Sequence, residues 1–387
     1  MKTKSITLGI DATRNKSGGA INYLQGILNN IDPQKLGFKS IHLWSNESIL
    51  KKLPNYPWLH KHSHKLLQKN IFYQLLWQYI ILKKEFKYFK CDIILNTDAG
   101  TISNVKPAIT MSRDMLSYEK GELGRFGFSI QTLRLLALRF VQNNSLKKSN
   151  GVIFLTKYAS KIIQKSSGKI KSYKLIPHGI SDELHNIKLK KNWPIKKGLI
   201  KILYISNYDL YKHQWHVVEA ISQLRKSNKL NYELHLVGGG EGKPQRKLQR
   251  SINKFDPKKE FTFLHPFASK KEIKAWLENS DIFVFASSCE NMPNTLMEGM
   301  AAGLPIACSY RGPMIEVLKD GGLYFNPEES SSIEYAISQL INDEELRNRC
   351  KKRAKDISSF YSWVKCSKQT LEFIQETFLN YKKIRIK

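Results

Sequence analysis

Glu290 and Glu298 stand eight positions apart inside Ser-Ser-Cys-Glu-Asn-Met-Pro-Asn-Thr-Leu-Met-Glu-Gly-Met-Ala-Ala-Gly-Leu-Pro-Ile-Ala-Cys-Ser, residues 287–309. The apolar run 282–286 just before them reads as a buried strand, so the first glutamate follows a strand end. Behind it, Leu296, Met297, Met300 and Ala301 recur at helical spacing. Asn291 suits the N-cap of that helix and Pro293 its first turn, where a missing N–H costs nothing. Gly303 ends the helix, Leu304-Pro305 keeps it from resuming, and 306–309 is the next strand. In an open α/β sheet, ligands bind at such a strand-to-helix edge. The helix start offers free N–H groups and a positive dipole end, which suit a phosphate. Two carboxylates would repel that phosphate; they suit the paired hydroxyls of a sugar and a ribose. A nucleotide-sugar has both hydroxyl-bearing ends, with phosphates between them.

Holding such groups takes alternating strands and helices, and the chain supplies two sets. The first has strands at 6–10, 40–44, 92–96, 108–112 and 152–155, with helices at 21–30 and 130–146, the latter basic and amphipathic. Its first strand-to-helix loop, 11–20, holds Gly18-Gly19, which lets backbone approach a ligand closely. This is not Gly-x-Gly-x-x-Gly, so a dinucleotide fingerprint is absent. Strand 108–112 ends at Arg113 and Asp114, again at the ligand-binding edge. The second set has strands at 200–205, 233–237, 261–264, 282–286 and 306–309. Gly238 and Gly239 open a glycine-rich loop after 233–237, and His265 follows 261–264. Between the sets, 181–197 is rich in Lys, Asp and Asn and reads as a linker. The expected division is 1–180, linker 181–197, 198–360, and a last helix, 361–387.

The Glu-x7-Glu pair followed by Gly-Met-Ala-Ala-Gly-Leu-Pro resembles the donor-site signature of retaining GT-B glycosyltransferases, in particular family 4 (group 1). The resemblance covers most of the second domain, and the first only at its strand ends. It implies the GT-B fold: two Rossmann-like doubly wound domains facing each other across a cleft, with the last helix crossing back to the first. It implies that Glu290 contacts the donor sugar and Glu298 the ribose, with Asn291, Met292, Pro293, Asn294, Thr295 and Leu296 along the donor. Lys212 matches the lysine that neutralises the donor diphosphate, whereas Asn207 stands where the family usually has Arg. Arg113 or Lys16 are candidates to supply the missing charge. Gly18 and Gly19 fall where the family faces the diphosphate, and Gly238, Gly239 and His265 where it flanks the base. Arg113 replaces the family's histidine; it and Asp114 join Glu290 and Lys212 as candidate catalytic residues. Sugar transfer with retention, by front-face attack and without a metal or cofactor, is what the resemblance implies; no Asp-x-Asp is present. The implied acceptor is a glycan or lipid-linked glycan in bacterial surface polysaccharide assembly.

The chain has 387 residues, enough for two cores, and a formal net charge of +30. Five cysteines, an odd number without metal-ligand spacing, suit a reducing cytoplasm. No signal peptide precedes the first strand, and no apolar run reaches the ~18 residues that span a bilayer. The charge points to nucleic acid, an anionic membrane, an acidic substrate, or a lysine-rich genome. Its densest stretch, 51–90, interleaves lysines with aromatics around the apolar segment 71–82. That pattern suits a membrane interface on the inner face of the cytoplasmic membrane, with Phe72, Trp77 or Ile80 inserted. A core helix with a solvated basic face is the alternative. No RNP, KH or zinc pattern supports nucleic acid. Rival readings are a GT-B nucleotide-sugar epimerase and a basic nucleic-acid-binding protein.

Overall fold

Short apolar runs become strands wherever turn residues bound them, and the helices between them cover the sheets. The computed structural model describes residues 5–15, 18–187, 193, 198–227 and 230–386. The chain divides into two units, 1–179 with 362–387, and 180–361.

The first unit holds seven parallel strands: β1 (Ile6–Asp11), β2 (Phe38–Trp44), β3 (Leu59–His62), β4 (Ile93–Asn96), β5 (Ala108–Met111), β6 (Gly151–Phe154) and β7 (Tyr173–Leu175). Their order is β3-β2-β1-β4-β5-β6-β7, so the winding reverses between β1 and β4. β1, β4, β5 and β6 are buried along their whole length, as a parallel sheet covered on both faces must be. The C-terminal helix Trp363–Ile386 packs on the helix Gly18–Asn29 within this unit. A Cβ on Gly26 would lie 2.3 Å from the Trp363 ring, so only glycine lets the two approach.

The second unit holds six parallel strands: β8 (Leu199–Ile205), β9 (Asn231–Val237), β10 (Thr262–His265), β11 (Ile282–Phe285), β12 (Ile306–Ser309) and β13 (Leu323–Phe325). Their order is β10-β9-β8-β11-β12-β13, with the reversal between β8 and β11. Both units are doubly wound α/β sheets, the fold class that the alternation of strands and helices leads one to expect.

Some local expectations are corrected. The stretch 51–90 is not one basic surface: it contains β3 and a helical run, 71–88, interrupted by a π-turn at Trp77–Ile81. Trp77, Leu82 and Phe86 turn into the core against Trp44 and Ile94, so Trp77 is not available to a bilayer. Glu85, the one acid of the stretch, accepts a bond from Trp44 Nε1. Ile71, Phe72, Leu76, Tyr79 and Ile80 remain exposed. Pro293, not Asn291, takes the N-cap position of the helix Asn294–Ala302, because helical geometry starts only at Asn294; Gly303, at φ 75°, ends it. The first helix starts at Gly18, so Gly18 and Gly19 form its first turn rather than a loop. Asp182–His185, inside the expected linker, is a short helix. Lys16 and linker residues 188–192 and 194–197 lie outside the described residues. No helix among the described residues is long and apolar enough to cross a membrane.

Candidate functional site

The reversal between β8 and β11 sets the loop after β8 beside the loop after β11, and the two are fastened together. Ser288 N–H donates to the Tyr211 carbonyl at 2.8 Å, and His213 Nε2 lies 2.9 Å from Ser288 Oγ. The Lys212 carbonyl accepts from the Tyr204 hydroxyl at 2.7 Å. Burial holds the Tyr204 pKa well above its ordinary value, so it stays a donor. His213 itself sits at φ 52°, a left-handed conformation that costs a side-chain-bearing residue about 1–2 kcal/mol. Tyr211 and His213 are thus pinned to the strand exit that carries Glu290, and the backbone of Lys212 between them is pinned to β8. The outcome is an ion pair: Lys212 Nζ lies 2.5 Å from Glu290 Oε1, and both side chains are nearly buried. The family resemblance implies separate partners for these two residues, the donor diphosphate and the donor sugar; in the structure they pair with each other.

Glu298 lies one turn into the helix Asn294–Ala302. Its Oε2 is sealed from solvent and has no hydrogen-bond partner. Burial pushes this carboxyl up to about 7, with the Lys270 charge opposing. A sealed, unpartnered carboxylate oxygen is costly, and a ligand hydroxyl would relieve it. The same helix starts without a side-chain cap, leaving first-turn N–H groups at Thr295 and Leu296 for an anion. Thr295 Oγ1 donates to the Ile205 carbonyl at 3.1 Å and so ties the helix start to the end of β8. Asn291 and Met292 are buried beneath this turn.

Other expected donor residues have packing duties. A Cβ on Gly238 would fall 2.1 Å from the Ser206 carbonyl oxygen, so packing alone requires glycine there; on Gly239 it would meet the Phe267 ring at 2.9 Å. Asn207 has an exposed side chain, and its carbonyl accepts from Gln214 Nε2 at 2.9 Å. His265 pairs with His235 at 3.1 Å and packs on Trp276, and burial lowers its pKa.

In the first unit, a Cβ on Gly18 would meet nothing within 4 Å, so packing does not demand glycine there, and Gly19 follows in the same turn. Arg113 donates to Asn15 Oδ1 at 3.3 Å and lies 5.6 Å from the Tyr23 ring; burial lowers its pKa against the pull of Asp98. Asp114 accepts from the Leu116 N–H at 2.9 Å, a turn of its own making, while burial raises its carboxyl pKa. The sequence reading missed the polar cluster beside them, at the β1/β4 reversal. Asp11 accepts from Thr13 Oγ1 and Gln78 Nε2, each at 2.6 Å, and Asn15 Nδ2 and Gln78 Oε1 are buried without partners. Gln78 reaches the cluster from the π-turn, which no spacing rule foretells. His213 and Ser288, which fasten the two loops, are marked by no spacing in the sequence either.

Residues 186–357 match the family model described as glycosyl transferases group 1. Among curated relatives, N,N'-diacetylbacillosaminyl-diphospho-undecaprenol alpha-1,3-N-acetylgalactosaminyltransferase of Campylobacter jejuni is 26% identical over 59% of this chain and 59% of its own. The chain spans between 38% and 60% of the length of the first curated relatives it matches. Among solved structures, sucrose-phosphate synthase from Thermosynechococcus elongatus superposes with a TM-score of 0.77 at 14% identity, over 97% of this chain and 100% of that one. Anabaena HepE in complex with UDP-glucose does so with 0.71 at 17%, over 96% and 100%. Residues 186–357 are therefore similar to the group 1 glycosyl transferases, and the chain has the GT-B fold.

Proposed function

We propose that the protein is a retaining glycosyltransferase that moves a sugar, of hexosyl type, from a nucleotide-sugar to a glycan or lipid-linked glycan acceptor in bacterial surface polysaccharide assembly. The observation that carries this is the sealed, unpartnered Glu298 Oε2 on a helix whose uncapped start adjoins the β8 and β11 exits that hold the Lys212–Glu290 pair. A donor answers each feature: ribose hydroxyls donate to Glu298, the diphosphate meets the first-turn N–H groups, and Lys212 turns from Glu290 to the phosphate. Glu290, released, accepts the hydroxyls of the transferred sugar. In the reaction, the bond between the anomeric carbon and the phosphate oxygen breaks. The acceptor oxygen bonds to that carbon on the same face, and its proton passes to the departing diphosphate. Lys212 and the helix N–H groups then hold charge that grows on the leaving group, where fixed donors act most strongly.

The acceptor reading draws on the Campylobacter relative, whose name pairs an N-acetylgalactosaminyl group with a diphospho-undecaprenol acceptor. The donor reading draws on HepE, solved with UDP-glucose. The protein works in the cytoplasm, peripheral on the inner membrane face, with the exposed residues of 51–90 against anionic lipid. A melting screen against UDP-, GDP- and ADP-sugars tests the core of this: one donor class should raise the midpoint by mass action. Lys212→Ala should weaken the matching nucleoside diphosphate much more than the monophosphate. No shift with any nucleotide-sugar, or unchanged diphosphate affinity in Lys212→Ala, would overturn the reading. A free epimerised sugar nucleotide, formed without acceptor, would favour the epimerase.

A further inference from the structure

The helix Ile130–Lys148 buries Leu135, Gln142 and Leu146. It leaves Ile130 86% exposed, Leu133 68% and Phe140 74%, and Phe128 just before it is fully exposed. The helix thus buries two leucines and a glutamine on one side and shows a second apolar side, Ile130, Leu133 and Phe140, to water, with Phe128 just before it. Positions 130, 133 and 140 recur at helical spacing, about 15 Å from end to end at 1.5 Å per residue. The cations beside that stripe are Arg134, Lys147 and Lys148, while Arg139 donates to the Ser117 carbonyl at 3.3 Å, and 123–148 contains no Asp or Glu. Glu122, just upstream, is held by Arg125 at 2.8 Å.

The exposed apolar residues of 71–80 lie on the same side of the sheet. The connections β3 to β4 and β5 to β6 run in the same direction along the strand order, and right-handed crossovers put both helices on one face. That face therefore presents two apolar helical surfaces, each bordered by cations.

We propose that the Phe128–Phe140 stripe is the bilayer-inserting face of this protein, lying flat in the headgroup region of an anionic membrane beside the 71–80 surface. The occupant is argued from charge complementarity: an apolar helix face edged with Arg and Lys and free of acids matches anionic lipid. The inference deepens the membrane reading above and rests on it for the choice of lipid, but not on glycosyl transfer, since binding to vesicles needs neither donor nor acceptor.

The test is sedimentation of the full chain with phosphatidylglycerol–phosphatidylcholine vesicles, at low salt and at about 0.5 M salt, where exposed charges are screened. Wild type should keep a salt-resistant bound fraction. The quadruple variant Phe128→Ser, Ile130→Ser, Leu133→Ser, Phe140→Ser should lose that fraction by about tenfold or more, because buried apolar area is not screened. Phe128→Ser alone, at a fully exposed site that cannot disturb packing, should lose part of it. A wild type that binds no vesicles overturns both this inference and the membrane reading. Variants that bind as wild type does at both salts overturn this inference alone. A wild type that is dimeric in solution and becomes monomeric in the quadruple variant assigns the stripe to a second copy and overturns it as well.

Discussion

Removing one partner of the Lys212–Glu290 pair leaves the other charge buried alone, which costs about 3–5 kcal/mol in such sites. Glu290→Gln should therefore lower the melting midpoint as well as cut turnover by roughly a hundredfold, the loss typical of a preorganised contact. Lys212→Met with Glu290→Gln should recover much of the stability and none of the activity. Recovery of activity would make the pair structural rather than catalytic. Glu298 makes a second prediction, in pH. Its folded pKa is raised by burial to about 7, so the folded chain holds that proton more tightly than the unfolded chain. The stabilisation is full below the ordinary carboxylate pKa and is lost as pH rises from there to about 7. Glu298→Gln should raise the melting midpoint at about pH 8 and change it little near pH 4, where both forms are neutral. Nucleotide-sugar affinity in the wild type should rise with pH through about 7, as the carboxylate that accepts the ribose hydroxyls forms, and stay flat in the variant. Calorimetry at either end of that window decides it, and a flat wild-type profile would remove Glu298 from the ribose.

Between these residues stand the elements that aim them. The strand exits 206–213 and 286–293 carry Lys212 and Glu290, and His213 with Ser288 joins them at 2.9 Å. His213→Gly relieves the left-handed strain at φ 52° while deleting that bond. Emptying the space of a fully buried ring should lower the melting midpoint, while kcat falls roughly tenfold and KM moves less, because a slack Lys212 loses most where leaving-group charge is greatest. Ser288→Ala deletes the same bond without emptying the ring's space, so it should lower kcat alike with a smaller loss of melting midpoint, and the double variant should lower kcat no further. Equal kcat in His213→Gly would reduce His213 to packing. Much at this scale was legible in the sequence. Buried parallel strands are unbroken apolar runs, so the exits at Glu290, Lys212 and Arg113 could be placed within a few residues. What was not legible follows from physics that acts across the chain. Lys212 and Glu290 lie 78 positions apart, and nothing local says that they pair. The π-turn that swings Gln78 onto Asp11 breaks the very period by which helices are read. The Ile130–Lys148 helix has apolar residues on every side, so its spacing named a helix but not the side that faces water.

For the whole molecule, the formal charge of +30 remains to be assigned to an address or to composition. Chain-wide lysine bias would bind any polyanion weakly and would fade with salt whichever residues were changed. An address would depend on a few of them. Lys83, Lys84 and Lys87 belong to the helical run that exposes Phe72, Tyr79 and Ile80, and Glu85 among them is turned inward to Trp44. Each lysine near an anionic surface contributes about 1 kcal/mol, within a Debye length of about 10 Å at 0.1 M salt. Wild type should therefore sediment strongly with anionic vesicles at low salt, weakly with neutral ones, and be released in part as salt rises. Changing Lys83, Lys84 and Lys87 to Glu should weaken the low-salt binding, spare the salt-resistant fraction held by the Phe128–Phe140 stripe, and leave the nucleotide-sugar shift in melting point intact, since these lysines lie in the first unit and Lys212, Glu290 and Glu298 in the second. A wild type that ignores anionic vesicles at low salt, or a triple variant that binds them undiminished, would make the charge a property of composition and the basic helix a solvated face.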